Sequence, residues 1–163
     1  LRMAATAALA SLSRTASAMR PCSFLSRFST LTFSVTEKAF VRMLDRQIDK
    51  LREQYDEIYL LRNEGHFAIY NFGDGQAFQP DFVLFLRDKA GKMWVYQLFI
   101  EPKAKFLQPA DAWKKALLSE LTAEFGKRAL AFEDKRYRLI GVPFYNNDDE
   151  NAFWRELEAA LPA

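Results

Sequence analysis

Two apolar runs separated by a short polar turn constrain this chain more than any other stretch. Phe82-Val83-Leu84-Phe85-Leu86 follows Gln79-Pro80-Asp81, and Met93-Trp94-Val95-Tyr96-Gln97-Leu98-Phe99-Ile100 runs into Glu101-Pro102-Lys103. Continuous apolar runs bounded by turn residues read as strands buried on both faces. Joined by Arg87-Asp88-Lys89-Ala90-Gly91-Lys92, they predict an antiparallel hairpin whose first strand starts beside the end of the second. Asp81, Glu101 and Lys103 then meet at one edge of a sheet. Strand side chains alternate, so Glu101 and Lys103 point the same way and Pro102 the other. Two carboxylates that can share a divalent cation, with an ammonium beside them, are the parts of metal-dependent phosphodiester hydrolysis. A charged hairpin end without chemistry has the same spelling. The burial expected of both strands favours a site at the rim of a core, because paired carboxylates repel unless a cation or the lysine offsets them.

Elsewhere the periodicity is helical. Phe40, Val41, Leu44, Ile48, Leu51 and Tyr55 recur at threes and fours, which predicts a one-faced helix over about residues 35 to 54. Ser34 and Glu37 have the spacing of a capping box at its start. Glu57–Leu61 and Phe67–Tyr70 read as short strands around the Asn63-Glu64-Gly65 turn, and Gly73-Asp74-Gly75 breaks the pattern before the hairpin. A second helix is expected from Pro109 to Phe125, carrying Trp113, Leu117, Leu118, Leu121 and Phe125, with Gly126 as its stop. Arg138–Val142 is a further strand. A last helix, capped within Asn146–Glu150, carries Phe153, Trp154, Leu157 and Leu161. This α/β order suits one domain, and 163 residues are too few for two full ones.

Scarcity prunes the chemistry. Cys22 is the one cysteine and His66 the one histidine, which excludes an internal disulfide, a thiolate zinc cluster and a multi-histidine metal centre. No glycine-rich phosphate loop and no recognisable nucleophile setting is present. His66 reads as a turn residue. The apolar runs are too short to span a membrane. Net charge is +2, but residues 1–34 carry Arg2, Arg14, Arg20 and Arg27 without an acid. Removing those four from 23 basic residues leaves 19 against 21 acidic ones, so the remainder is not a generic polycation. Residues 1–34, rich in Ala and Ser, fit an organellar transit peptide, an unstructured tail or sequence read across a fragment boundary.

Three further features have two readings each. Glu37 lies on the core-facing stripe of its helix, where it serves either the capping box or the carboxylate site. Pro102 either ends its strand or offers its carbonyl as a ligand. The basic residues Lys105, Lys114 and Lys115, and Lys127, Arg128, Lys135, Arg136 and Arg138, read as solvated faces or as phosphate contacts. Trp113 reads as core.

The αβββαβ order with Pro80-Asp81 and Glu101-Pro102-Lys103 resembles the PD-(D/E)xK nuclease superfamily. Thr36-Glu37-Lys38-Ala39-Phe40-Val41, Tyr55-Asp56-Glu57-Ile58-Tyr59-Leu60-Leu61-Arg62-Asn63-Glu64, Phe78-Gln79-Pro80-Asp81-Phe82-Val83-Leu84-Phe85-Leu86 and Ile100-Glu101-Pro102-Lys103 resemble, more specifically, the C-terminal endonuclease domain of type III restriction enzyme Res subunits. The resemblance spans about residues 35 to 160. It implies a restriction-endonuclease-like αβββαβ core, a mixed sheet flanked by helices, over 35–163. It implies an endonuclease that hydrolyses DNA with Mg²⁺, for which Mn²⁺ substitutes. Asp81 and Glu101 would be the metal ligands, joined by the carbonyl of Pro102 and by Glu37, and Lys103 would orient the attacking water. Double-stranded DNA, a translocase domain and a DNA methyltransferase subunit are the implied partners, in a bacterial cytoplasm, or in an organelle if residues 1–34 are a transit peptide. The chain departs from the family in having Ala104 after Lys103, where glycine is common, and in lacking the phosphate loop of the translocase. The rival expectation is a catalytically silent module of the same fold that binds DNA or those partners.

Overall fold

The computed structural model describes residues 33–63, 68–70, 75–89, 94–102, 111–125, 130–132 and 135–161. Helix α1 (Val35–Gln54) is followed by β1 (Tyr55–Arg62), β2 (Ile69–Tyr70), β3 (Ala77–Phe78), β4 (Phe82–Asp88) and β5 (Trp94–Ile100). Helix α2 (Ala112–Phe125), β6 (Leu130–Phe132), β7 (Lys135–Gly141), a 3₁₀ turn (Asn147–Asp149) and α3 (Glu150–Ala160) complete the chain.

Helix α1 starts where expected. The Ser34 hydroxyl accepts from the Glu37 N–H and the Glu37 carboxylate accepts from the Ser34 N–H, so two otherwise orphaned donors are satisfied. Its far end is closed by the Lys89 ammonium, which donates to the Arg52 and Glu53 carbonyls. The chain then turns directly into β1, which is longer than the apolar run alone indicates.

A five-stranded mixed sheet has the order β1-β4-β5-β7-β6. The β4/β5 hairpin is antiparallel in the expected register, with Phe82 opposite Ile100 and Leu84 opposite Leu98. Strand β1 pairs with the outer edge of β4 and β7 runs parallel to β5, a change of direction that the α2 crossover makes possible. The short strands β2 and β3 pair with each other, and β6 pairs antiparallel with β7. Neither β3 nor β6 was expected. Each is two or three residues long, too short for a period to register.

Strand β4 divides the core in two. Phe82, Leu84 and Leu86 join Phe40, Leu44, Trp154 and Leu157 of α1 and α3 on one face. Val83 and Phe85 join Leu117, Leu118, Leu121 and Phe125 of α2 on the other, where Trp113 packs at the margin. Helices therefore flank a mixed sheet, and the continuous apolar spelling of β4 follows from burial on both faces. Among the described residues no helix is long and apolar enough to cross a membrane.

Helix α2 lies close against β7. A Cβ built on Gly141 would stand 2.3 Å from the Leu118 carbonyl oxygen, so only glycine permits this approach. The Thr122 hydroxyl fastens the same contact, accepting from the Gly141 N–H at 2.8 Å and lying 2.6 Å from its carbonyl oxygen.

Candidate functional site

The end of the β4/β5 hairpin brings Asp81 and Glu101 together. Continuing the register past Phe82 and Ile100 sets them opposite each other, and the Asp81 N–H donates to Glu101 Oε2 at 3.2 Å. The backbone around both is pinned from outside the hairpin. The Asn63 N–H donates to the Asp81 carbonyl at 2.8 Å, and the Tyr145 N–H donates to the Glu101 carbonyl at 3.1 Å.

Pairing continues past β5 as a single parallel bridge between Pro102 and Tyr145. The bond from Tyr145 runs to the residue before the proline, so the missing proline N–H is not called upon. Pro102 is buried. Lys103, like Lys105, His66, Pro109, Lys127 and Arg128, lies outside the described residues.

Glu101 is 3% exposed, an uncommon setting for a carboxylate. It stands on the α2 side of the sheet, two residues beyond Phe99, and its charge is met there. Lys114 Nζ donates to Glu101 Oε1 at 3.2 Å and lies 3.4 Å from Asp111 Oδ1. The ammonium also lies over the Phe78 ring at 5.7 Å and the Trp113 ring at 6.0 Å. Burial alone would pull the Lys114 pKa down, but Glu101 and Asp111 outweigh it and hold the ammonium above its ordinary value.

The sequence alone fits Lys114 to a solvated face or a phosphate contact and does not point to Asp111. The signal was available. Lys114 precedes Leu117 and Leu118 by three and four residues, so it shares their buried stripe and sits one turn nearer the sheet edge.

Glu37 is buried on α1, the helix packed against the opposite face of the sheet. Its Oε2 takes the capping bond from Ser34 at 2.7 Å, and its Oε1 pairs with Arg62 at 3.2 Å. The Arg62 guanidinium in turn stacks on Phe33, 4.6 Å from the ring centroid. Lys115, the other α2 lysine, lines a cavity of about 280 Å³ with Asp148, Asp149 and Glu156, a setting of mixed sign rather than a basic patch. Among the described residues no group of three or more His, Cys, Asp or Glu is assembled that could hold a metal ion.

Residues 18–160 match the family described as HI_1054_C, C-terminal domain. An uncharacterised protein of Haemophilus influenzae is 40% identical over 123 residues, which cover 71% of this chain and 26% of that protein. The chain thus spans about a quarter of the length of the curated relative it matches. No solved structure matches. On a match that covers most of its length, this chain belongs to the HI_1054_C C-terminal domain family.

Proposed function

We propose that this chain is a Mg²⁺-dependent DNA endonuclease domain of the PD-(D/E)xK type, the nuclease part of a larger restriction subunit. The observation that carries the reading is the pairing of Asp81 with a buried, backbone-anchored Glu101 at the end of a two-sided sheet. The strand directions favour it as well. With β2, β3 and β6 taken as additions, α1, the antiparallel strands β1, β4 and β5, the crossover helix α2 and the parallel strand β7 are compatible with the αβββαβ order of a restriction-endonuclease-like core.

The donor set suits a hard divalent cation, since carboxylate and carbonyl oxygens are what such ions take. Asp81, Glu101 and the carbonyl of Pro102 would hold it. Glu37 already serves its cap and Arg62, so it is assigned a structural part. The cation would supply charge neutralisation and polarisation at the phosphoryl group. Lys103, two residues beyond Glu101, takes the water-orienting part that the resemblance gives it. Double-stranded DNA is the substrate, and a translocase domain and a methyltransferase subunit are the partners of the longer protein.

Titrating the 163-residue chain with Mn²⁺ by calorimetry tests the reading without requiring those partners. Wild type binds, Asp81→Ala does not although its melting temperature is retained, and Lys103→Ala binds but fails to nick plasmid DNA. A folded wild type that takes up no Mn²⁺, with or without DNA, favours a silent module over the nuclease reading. The second reading, a silent module packed within a longer protein, is favoured by one observation: Lys114 already neutralises Glu101. The same titration decides between them.

A further inference from the structure

We propose that Lys114 is a built-in competitor of the cation: its ammonium holds Glu101 while the site is unloaded, and metal uptake requires Glu101 to exchange it. The inference rests on the reading of Asp81 and Glu101 as cation ligands, and it adds a control on how that site loads.

Three observations carry it. Glu101 is nearly fully buried, so leaving its charge without a partner is costly. Lys114 meets it at Oε1, while Oε2 is taken by the Asp81 N–H, so each oxygen of the carboxylate already has a donor. The third is the position of Asp111. It immediately precedes α2, three residues before Lys114, with Oδ1 at 3.4 Å from the same ammonium. The lysine is therefore shared between two carboxylates before any metal arrives. When Glu101 turns to the cation, Asp111 retains the ammonium, and the helix does not have to move.

A second positive charge next to a ligand opposes metal binding, and removing it strengthens that binding. Titration of the 163-residue chain with Mn²⁺ is the test. Lys114→Met is expected to bind Mn²⁺ at least about fivefold more tightly than wild type, the lower range of a coupling between competing ligands. Lys114→Arg keeps the charge and is expected to bind as wild type does. The metal-free melting temperature of Lys114→Met should fall, since Glu101 loses its partner, while the rise on adding Mn²⁺ should exceed that of wild type.

If Lys114→Met proves too unstable to titrate, Lys114→Gln replaces it with the same expectation. Asp111→Asn examines the hand-over: its effect on Mn²⁺ affinity should shrink in the Lys114→Met background, and equal effects in both backgrounds overturn that step. Neutral variants that bind no more tightly than a wild type that does bind overturn the competition and leave the metal reading standing. If neither wild type nor the neutral variants take up Mn²⁺, both fall together.

Discussion

Tyr145 shows how one residue can serve several parts of the fold. Its N–H anchors the Glu101 carbonyl, its ring packs against Phe40 and Phe153, and its hydroxyl donates to Glu150 Oε2 at 3.2 Å. Glu150 is also paired with Arg46 of α1. Burial, and then the adjacent Glu150 carboxylate, push the Tyr145 phenol well above its ordinary value of 10.0. The folded chain thus keeps a proton that the unfolded chain has lost. The contribution is intact below pH 10 and declines as the pH rises past 10 toward the higher folded value. Stability measured by urea unfolding should fall over that range, and Tyr145→Phe should fall less steeply. Parallel profiles for the two proteins would contradict this account. Nothing in the text around Tyr145 announces its role, since Glu150 and Glu101 reach it from different segments.

At the scale of elements, the contact between α2 and β7 fixes where Lys114 stands. Gly141 faces the Leu118 backbone with no room for a methyl group, and Thr122 bonds across the same gap. Gly141→Ala should therefore lower stability by about 1–3 kcal/mol, the range for overfilling a packed interface. A guanidinium denaturation midpoint would register it, and an unchanged midpoint would mean that the helix can shift freely. Helices α1, α2 and α3 were legible because an apolar face repeats over three or more turns, and the hairpin because its runs are long and its turn polar. Strands β3 and β6 were not, because two or three residues carry no period. The partner of β1 was not legible either. A strand's spelling says that it is buried on a face and leaves open which edge it joins.

Across the whole molecule, the C-terminal helix closes one of the two cores. Phe153, Trp154 and Leu157 of α3 fill the space between α1 and the sheet. A chain ending at Asp149 should lose its cooperative thermal transition and bind a hydrophobic dye, because the apolar face of α1 would be left open. A sharp two-state melt from the truncated chain would show that α3 is dispensable. The meeting of the Asp81 backbone with the Glu101 carboxylate at the hairpin end was legible for a physical reason: a tight antiparallel connection fixes register locally, so residues 20 apart in sequence must meet. The sequence by itself thus determined the helices, the hairpin and the meeting of Asp81 with Glu101, all of which depend on short-range periodicity and turn geometry. Only the tertiary structure decided that Lys114 neutralises Glu101, and that Glu37 pairs with Arg62 besides capping its helix at Ser34. Those pairings depend on which face of the sheet each helix covers, a choice made by long-range packing of two apolar surfaces rather than by any spacing along the chain.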